Sequence, residues 1–183
     1  MRLTTPVRKV SAWQFVTFGS GGLSVGILAG GGGQMILKDP SGTDQTFTYG
    51  GVGAGLSAGL KIPKLGKIQV PTPKGPATGS AGPMAFPSTG MVLANTDLPG
   101  GDLTKSDIRG LCIFAEVGGG IIIGGSGTSM FIGLDPILLP MVSLPGIGPQ
   151  IFLNSAKGMI LMAGVNAGVQ AQIGGTIYIG YLG

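Results

Sequence analysis

The sequence predicts an all-β fold: a Gly-rich antiparallel barrel or sandwich with long alternating strands, a Pro-rich excursion and one to three short helices. Glycine fills 38 of 183 positions, and four segments alternate small and apolar residues with the two-residue period of a strand. They read "TFGSGGLSVGILAGGG" around Phe18, "FTYGGVGAGLSAGLK" around Tyr49, "IFAEVGGGIIIGGSG" around Phe114 and "LMAGVNAGVQAQIGG" near the end. Charged residues make up only 10% of the chain, against roughly a quarter in an ordinary soluble protein. Such a surface is hidden by oligomerisation or lipid, or is built from backbone rather than side chains.

The length suits one domain, residues 1–183, within which 62–101 form a Pro/Gly/Lys-rich excursion. Gly22, Gly26 and Gly30, and again Gly51, Gly55 and Gly59, recur at a spacing of four. On a helix that spacing is a close-packing stripe, but four is also even, so the same residues share one face of a strand. Gly53 and Ser57 complete the small row opposite Val52, Ala54, Leu56, Ala58 and Leu60, which decides for strand. The four segments therefore reuse one hairpin-like unit.

The remaining elements follow in order. Gln34–Lys38 and "QTFTYG" form a hairpin across a turn containing Pro40 and Gly42. Residues 62–101 hold seven prolines, too many for central strands, and are read as an excursion with edge-strand fragments. "DLTKSDIRG" makes one helical turn, and "DPILLPMVSLP" and "NSAKGMILM" make two further short helices. Ser129–Leu134 pairs back onto "VGGGIII" across a turn at 124–128. Residues 163–174 alternate without a break as one strand, and Gly174 and Gly175 mark a bulge after it.

The chemical inventory is narrow. There is no His, which removes the commonest general base and metal ligand, and a single Cys, Cys112, which reads as a small core hydrophobe. No metal site and no cofactor are expected. No G-x-G-x-x-G occurs, so the glycines are assigned to strand packing and not to phosphate binding. Of the seven acids, six sit among turn residues. Glu116 is the exception, set in an otherwise apolar strand. A buried or lumen-facing Glu116 needs a cation such as Arg109 and becomes a gate or ligand group; the bland alternative places it at the strand's exposed end.

The net charge of +4 equals the contribution of Lys61, Lys64, Lys67 and Lys74, which lie in a stretch without acids between Asp44 and Asp97. With no aromatic residues interleaved, this cluster suits contact with an anionic surface and not specific nucleic-acid recognition. Basic residues precede a charge-free stretch at the N-terminus, but polar and Gly residues interrupt it and no cleavage site follows. Membrane association, or secretion without a classical signal peptide, is the localisation expected.

The alternation of 163–174 resembles, in pattern, that of membrane β-barrels and pore-forming hairpins. Tyr178 and Tyr181 suit interfaces, and the apolar contact face is read as Val52, Leu56, Leu60, Val165, Val169 and Ile173. The function expected from these features is a non-enzymatic, self-associating β-protein that contacts membrane, with pore formation as one form of that contact. The alternatives are a soluble homo-oligomeric assembly module and a barrel that binds lipid or another small ligand.

Overall fold

The computed structural model describes residues 6–25, 28–55, 88–120, 123–167 and 170–183. Among the described residues nine strands form one antiparallel sheet: β1 (Arg8–Val10), β2 (Gln14–Val25), β3 (Leu28–Lys38), β4 (Asp44–Gly55), β5 (Ser88–Asn95), β6 (Gly110–Gly120), β7 (Ile123–Ile132), β8 (Gly158–Ala167) and β9 (Gln170–Leu182). Their order across the sheet is β1-β5-β8-β7-β6-β9-β4-β3-β2. The short helices are α1 (Lys105–Ile108), a 3-10 helix (Pro136–Ser143) and α2 (Gly148–Asn154).

The sheet curls until its far strand meets its second. Thr17 Oγ1 on β2 lies 2.9 Å from Ser88 Oγ on β5, and the Phe18 amide donates to the same Ser88 oxygen at 3.2 Å. Just before β2, the Ser11 amide donates to the Val92 carbonyl at 2.9 Å. The all-β barrel expectation thus holds in its essentials. Period-two patterning fills the concave face with Met35 and Leu37, Phe47 and Tyr49, Cys112 and Phe114, Met130 and Ile132, Ile160 and Met162, and Tyr178 and Leu182. On the convex face, Val142 and Phe152 of the helical segment bury against Leu111 and Ile179. Asp135 starts that segment by accepting from the Ile137 amide at 2.9 Å, with Pro136 at its first position.

Several sequence expectations are corrected. The alternation over 163–174 belongs to two strands: β8 ends at Ala167 and β9 begins at Gln170. These two do not pair, because the β6–β7 hairpin lies between them. Alternation shows that residues are extended, but not whether the extended chain is one element. Residues 124–128 are strand rather than turn, since β7 starts at Ile123 and Gly125 already pairs with Gly119. Pairing runs regularly through Gly174 and Gly175, and the register shift falls just beyond them, opposite Gly118 and Gly120. "NSAKGMILM" is mostly β8, and the helix precedes it at Gly148–Asn154. The excursion is shorter than read: Ser88–Asn95 is β5, a strand between β1 and β8 rather than at an edge.

The strands order the charges along the barrel. Among the described residues every Lys, Arg and Asp lies where β3, β5 and β7 end and β4, β6 and β8 begin, at one end of the sheet. Glu116 alone lies away from that end, seven positions along β6 from Arg109.

Candidate functional site

Even-numbered residues of β6 point to the concave face, where Cys112 and Phe114 are fully buried, and Glu116 continues that row. Directly across from it stand Thr128 on β7 and Thr176 on β9, both buried. One pair further on, Phe114 opposes Tyr178 and stacks on it, with ring centroids 4.7 Å apart and planes at 16°. Tyr49 meets the other side of this stack edge-on at 5.3 Å and 82°. The stack holds the Tyr178 ring in a narrow range of positions.

Glycines on two further strands make room for that ring. A Cβ at Gly31 would stand 2.7 Å from the Tyr178 ring, and one at Gly53 would stand 2.8 Å from it. Here the glycine rows act as a floor for an aromatic side chain, a specific form of the strand packing to which the sequence assigned them.

The polar groups form a short chain. Thr176 donates to the Tyr178 hydroxyl, which donates to the Glu116 carboxyl. The other carboxyl oxygen, Glu116 Oε1, is sealed from solvent and has no hydrogen-bond partner among the described residues. Burial pushes the Glu116 carboxyl up to about 7, and the bond from Tyr178 only partly restrains it. Burial and the neighbouring Glu116 charge push the Tyr178 phenol up to about 12. A carboxyl of this kind takes up and releases a proton near neutrality, the range in which acid–base chemistry operates.

Arg109 does not join this site. It is exposed at the C-cap of α1, at the charged end of the barrel, so the expected Glu116–Arg109 partnership is replaced by Tyr178. Nor does Glu116 mark an exposed strand end. Of the expected apolar face, Val52 sits half-buried on the convex side, between buried Gly51 and Gly53. Val165 and Ile173 belong to β8 and β9, but their side chains lie outside the described residues, as do Leu56, Leu60 and Val169. Lys61, Lys64, Lys67 and Lys74 lie outside them as well. Tyr178, read as an interfacial residue, is buried, whereas Tyr181 is exposed. The alternation signalled this, because Tyr178 and Leu182 share one parity and Tyr181 has the other. Thr128 and Thr176 carried no signal of their own before β7 and β9 were placed on either side of β6. Among the described residues no group of three or more His, Cys, Asp or Glu side chains gathers to hold a metal.

The fold and the half-buried Glu116, one carboxyl oxygen of which is sealed from solvent, define an all-β barrel protein with a titrating group in its wall. No family model matches the chain, and no solved structure matches it. It is similar to Toxin protein Tse4 of Pseudomonas aeruginosa, with 43% identity over 183 residues, covering 94% of this chain and 93% of the relative. The chain belongs to the family of that toxin. This relationship overturns the expected function, a non-enzymatic self-associating protein that contacts membrane, and its two alternatives: the relative is named as a toxin. The exclusion of enzymatic activity falls with it. That exclusion rested on the missing His and the scattered acids, an inventory too coarse to register that burial alone brings the Glu116 carboxyl to about 7.

Proposed function

We propose that this protein is a toxin and that its partner in the target cell is a lipid membrane. The single observation that carries the toxin reading is the 43% identity to a named toxin over nearly the whole of both chains. What supports the membrane as partner is the convex face. Cross-strand pairing sets Val10 beside Leu93, Leu93 beside Met159, Met159 beside Phe131, Phe131 beside Ile113, Ile113 beside Ile179 and Ile179 beside Val52. These residues form an apolar band across seven strands. The helical segment covers part of it, and around it Val16, Met91, Val117 and Leu161 are exposed on the same wall. An apolar band of that extent on a chain with 10% charged residues suits hydrocarbon as its neighbour.

Inducible expression in a bacterial host, with the chain directed either to the cytoplasm or across the inner membrane, tests the toxin reading. Growth arrest in at least one compartment is expected, and unimpaired growth in both ends it. Flotation of the purified chain with liposomes after a high-salt wash tests the partner: salt-resistant flotation is expected. A chain that stays at the bottom of the gradient yet arrests growth is a toxin with a different target. Glu116→Gln belongs in the growth assay, because lost arrest in a variant that still folds assigns the action to that carboxyl.

A further inference from the structure

We propose that the groove between α1 and the end of β9 is a binding site for a phosphate group. Thr104, Lys105, Ser106, Arg109, Gly110 and Tyr181 line this open groove of about 640 Å³. Its two cations have no carboxylate partner: the ion pairs among the described residues are Lys38–Asp44 and Lys157–Asp107. Lys105 Nζ reaches only the neutral Gln45 side chain. Asp107, the acid on α1 itself, is already engaged. It accepts from Lys157 at 2.6 Å, from the Thr104 hydroxyl at 2.6 Å and from the Thr104 amide at 2.9 Å. The Gln45 side chain that accepts from Lys105 donates in turn to Asp39 at 3.1 Å, so Lys105, Arg109 and Lys157 against Asp107 and Asp39 leave this corner with a net charge of +1.

The donor set suits a tetrahedral dianion. Arg109 offers a planar fork, which pairs two oxygens at once, and Lys105 offers a point charge for a third. The Ser106 hydroxyl, 2.8 Å from Thr104 Oγ1, and the exposed Tyr181 phenol stand at the rim. The two cations that line the groove match the two charges of a phosphate monoester. Such a group reaches the groove either as a soluble phosphate or as the head group of phosphatidic acid in a bilayer. The site does not rest on the toxin reading, and either can fail while the other stands.

Calorimetric titration of the full chain with inorganic phosphate, at constant ionic strength in chloride, tests the proposal. Saturable binding is expected, weakened at least tenfold in the double variant Lys105→Gln/Arg109→Gln. Lys9→Gln/Lys38→Gln, which removes the same charge elsewhere on that end, is expected to change it less than twofold. No saturable binding, or equal weakening by both double variants, overturns the site. Flotation with phosphatidylcholine vesicles, with and without phosphatidic acid, separates the two sources. Groove-dependent flotation with phosphatidic acid identifies the lipid head group, and its absence alongside phosphate binding identifies a soluble phosphate.

Discussion

Tyr178 is held between Phe114, stacked on its face at 4.7 Å, and the glycine floor of Gly31 and Gly53, and in this position its hydroxyl reaches Glu116. The aromatic stack therefore does more than fill the core. It fixes the donor that partly satisfies a buried carboxyl, while the second carboxyl oxygen stays unpartnered among the described residues.

Stability is expected to fall as pH rises through neutrality. The Glu116 carboxyl titrates at about 7 when folded, against its ordinary 4.5. Between these values the folded chain keeps a proton that the unfolded chain has released, so the stabilisation is full below 4.5 and is lost as pH passes 7. A difference of that size corresponds to on the order of 3 kcal/mol. Urea unfolding at pH 5 and pH 9 measures it. Glu116→Gln should remove most of the difference, and a variant with the same pH dependence as the parent would place the titration elsewhere. The acids held low by hydrogen bonds, Asp39, Asp102 and Asp107, lose their contribution only at pH values below the ordinary carboxylate range, a separate window.

Tyr178→Phe keeps the stack and removes the hydroxyl. Since that hydroxyl's bond favours the ionised carboxyl, its loss should move the Glu116 titration further above 7. Infrared titration of the carboxyl band, or the inflection of the stability profile, reads the shift. A downward shift would show that Tyr178 does not donate to Glu116.

Gly31→Ala should destabilise by about 1–3 kcal/mol, because its Cβ would sit 2.7 Å from a ring already packed against Phe114. Gly127→Ala is the matched control, with its nearest contact at 3.5 Å. Thermal melts of the two variants should differ clearly. Equal small losses would mean that the Tyr178 ring yields, and that the floor does not position it.

How much of this was legible in the sequence depends on the scale. Period two correctly marked the segments around Phe18, Tyr49 and Phe114 as strand and Cys112 was read correctly as a core residue, and Asp39 to Thr43 announced a hairpin turn through Pro40 and Gly42. Strand boundaries were less legible where alternation continued through a connection, as between Ala167 and Gln170. Residues 88–95 were hidden by the prolines and glycines before them, although they pair on both sides. Glu116 stood out by composition alone, but its partners are set by register: Thr128 is 12 residues away in the chain, and Tyr178 is 62. Only the strand order β7-β6-β9 brings them together.

That strand order also leaves one seam held differently from the rest of the barrel. Where β2 meets β5, the Thr17 and Ser88 hydroxyls are 2.9 Å apart and the Phe18 amide donates to a side chain, Ser88 Oγ, instead of to a carbonyl. Beside it, Phe15 occupies the space over Gly90, where a Cβ would stand 2.5 Å from the ring. Ser88→Ala removes the acceptor of the Phe18 amide at a cost of about 1 kcal/mol, the net value of one such bond. Because the loss falls on one seam, opening there should become easier than global unfolding. Hydrogen exchange should accelerate at the Phe18 amide by about tenfold or less, while amides in the β6–β9 pair keep their parent rates. Uniform acceleration across the sheet would show that the seam opens only with the whole barrel, and unchanged exchange at Phe18 would show that Ser88 does not hold it.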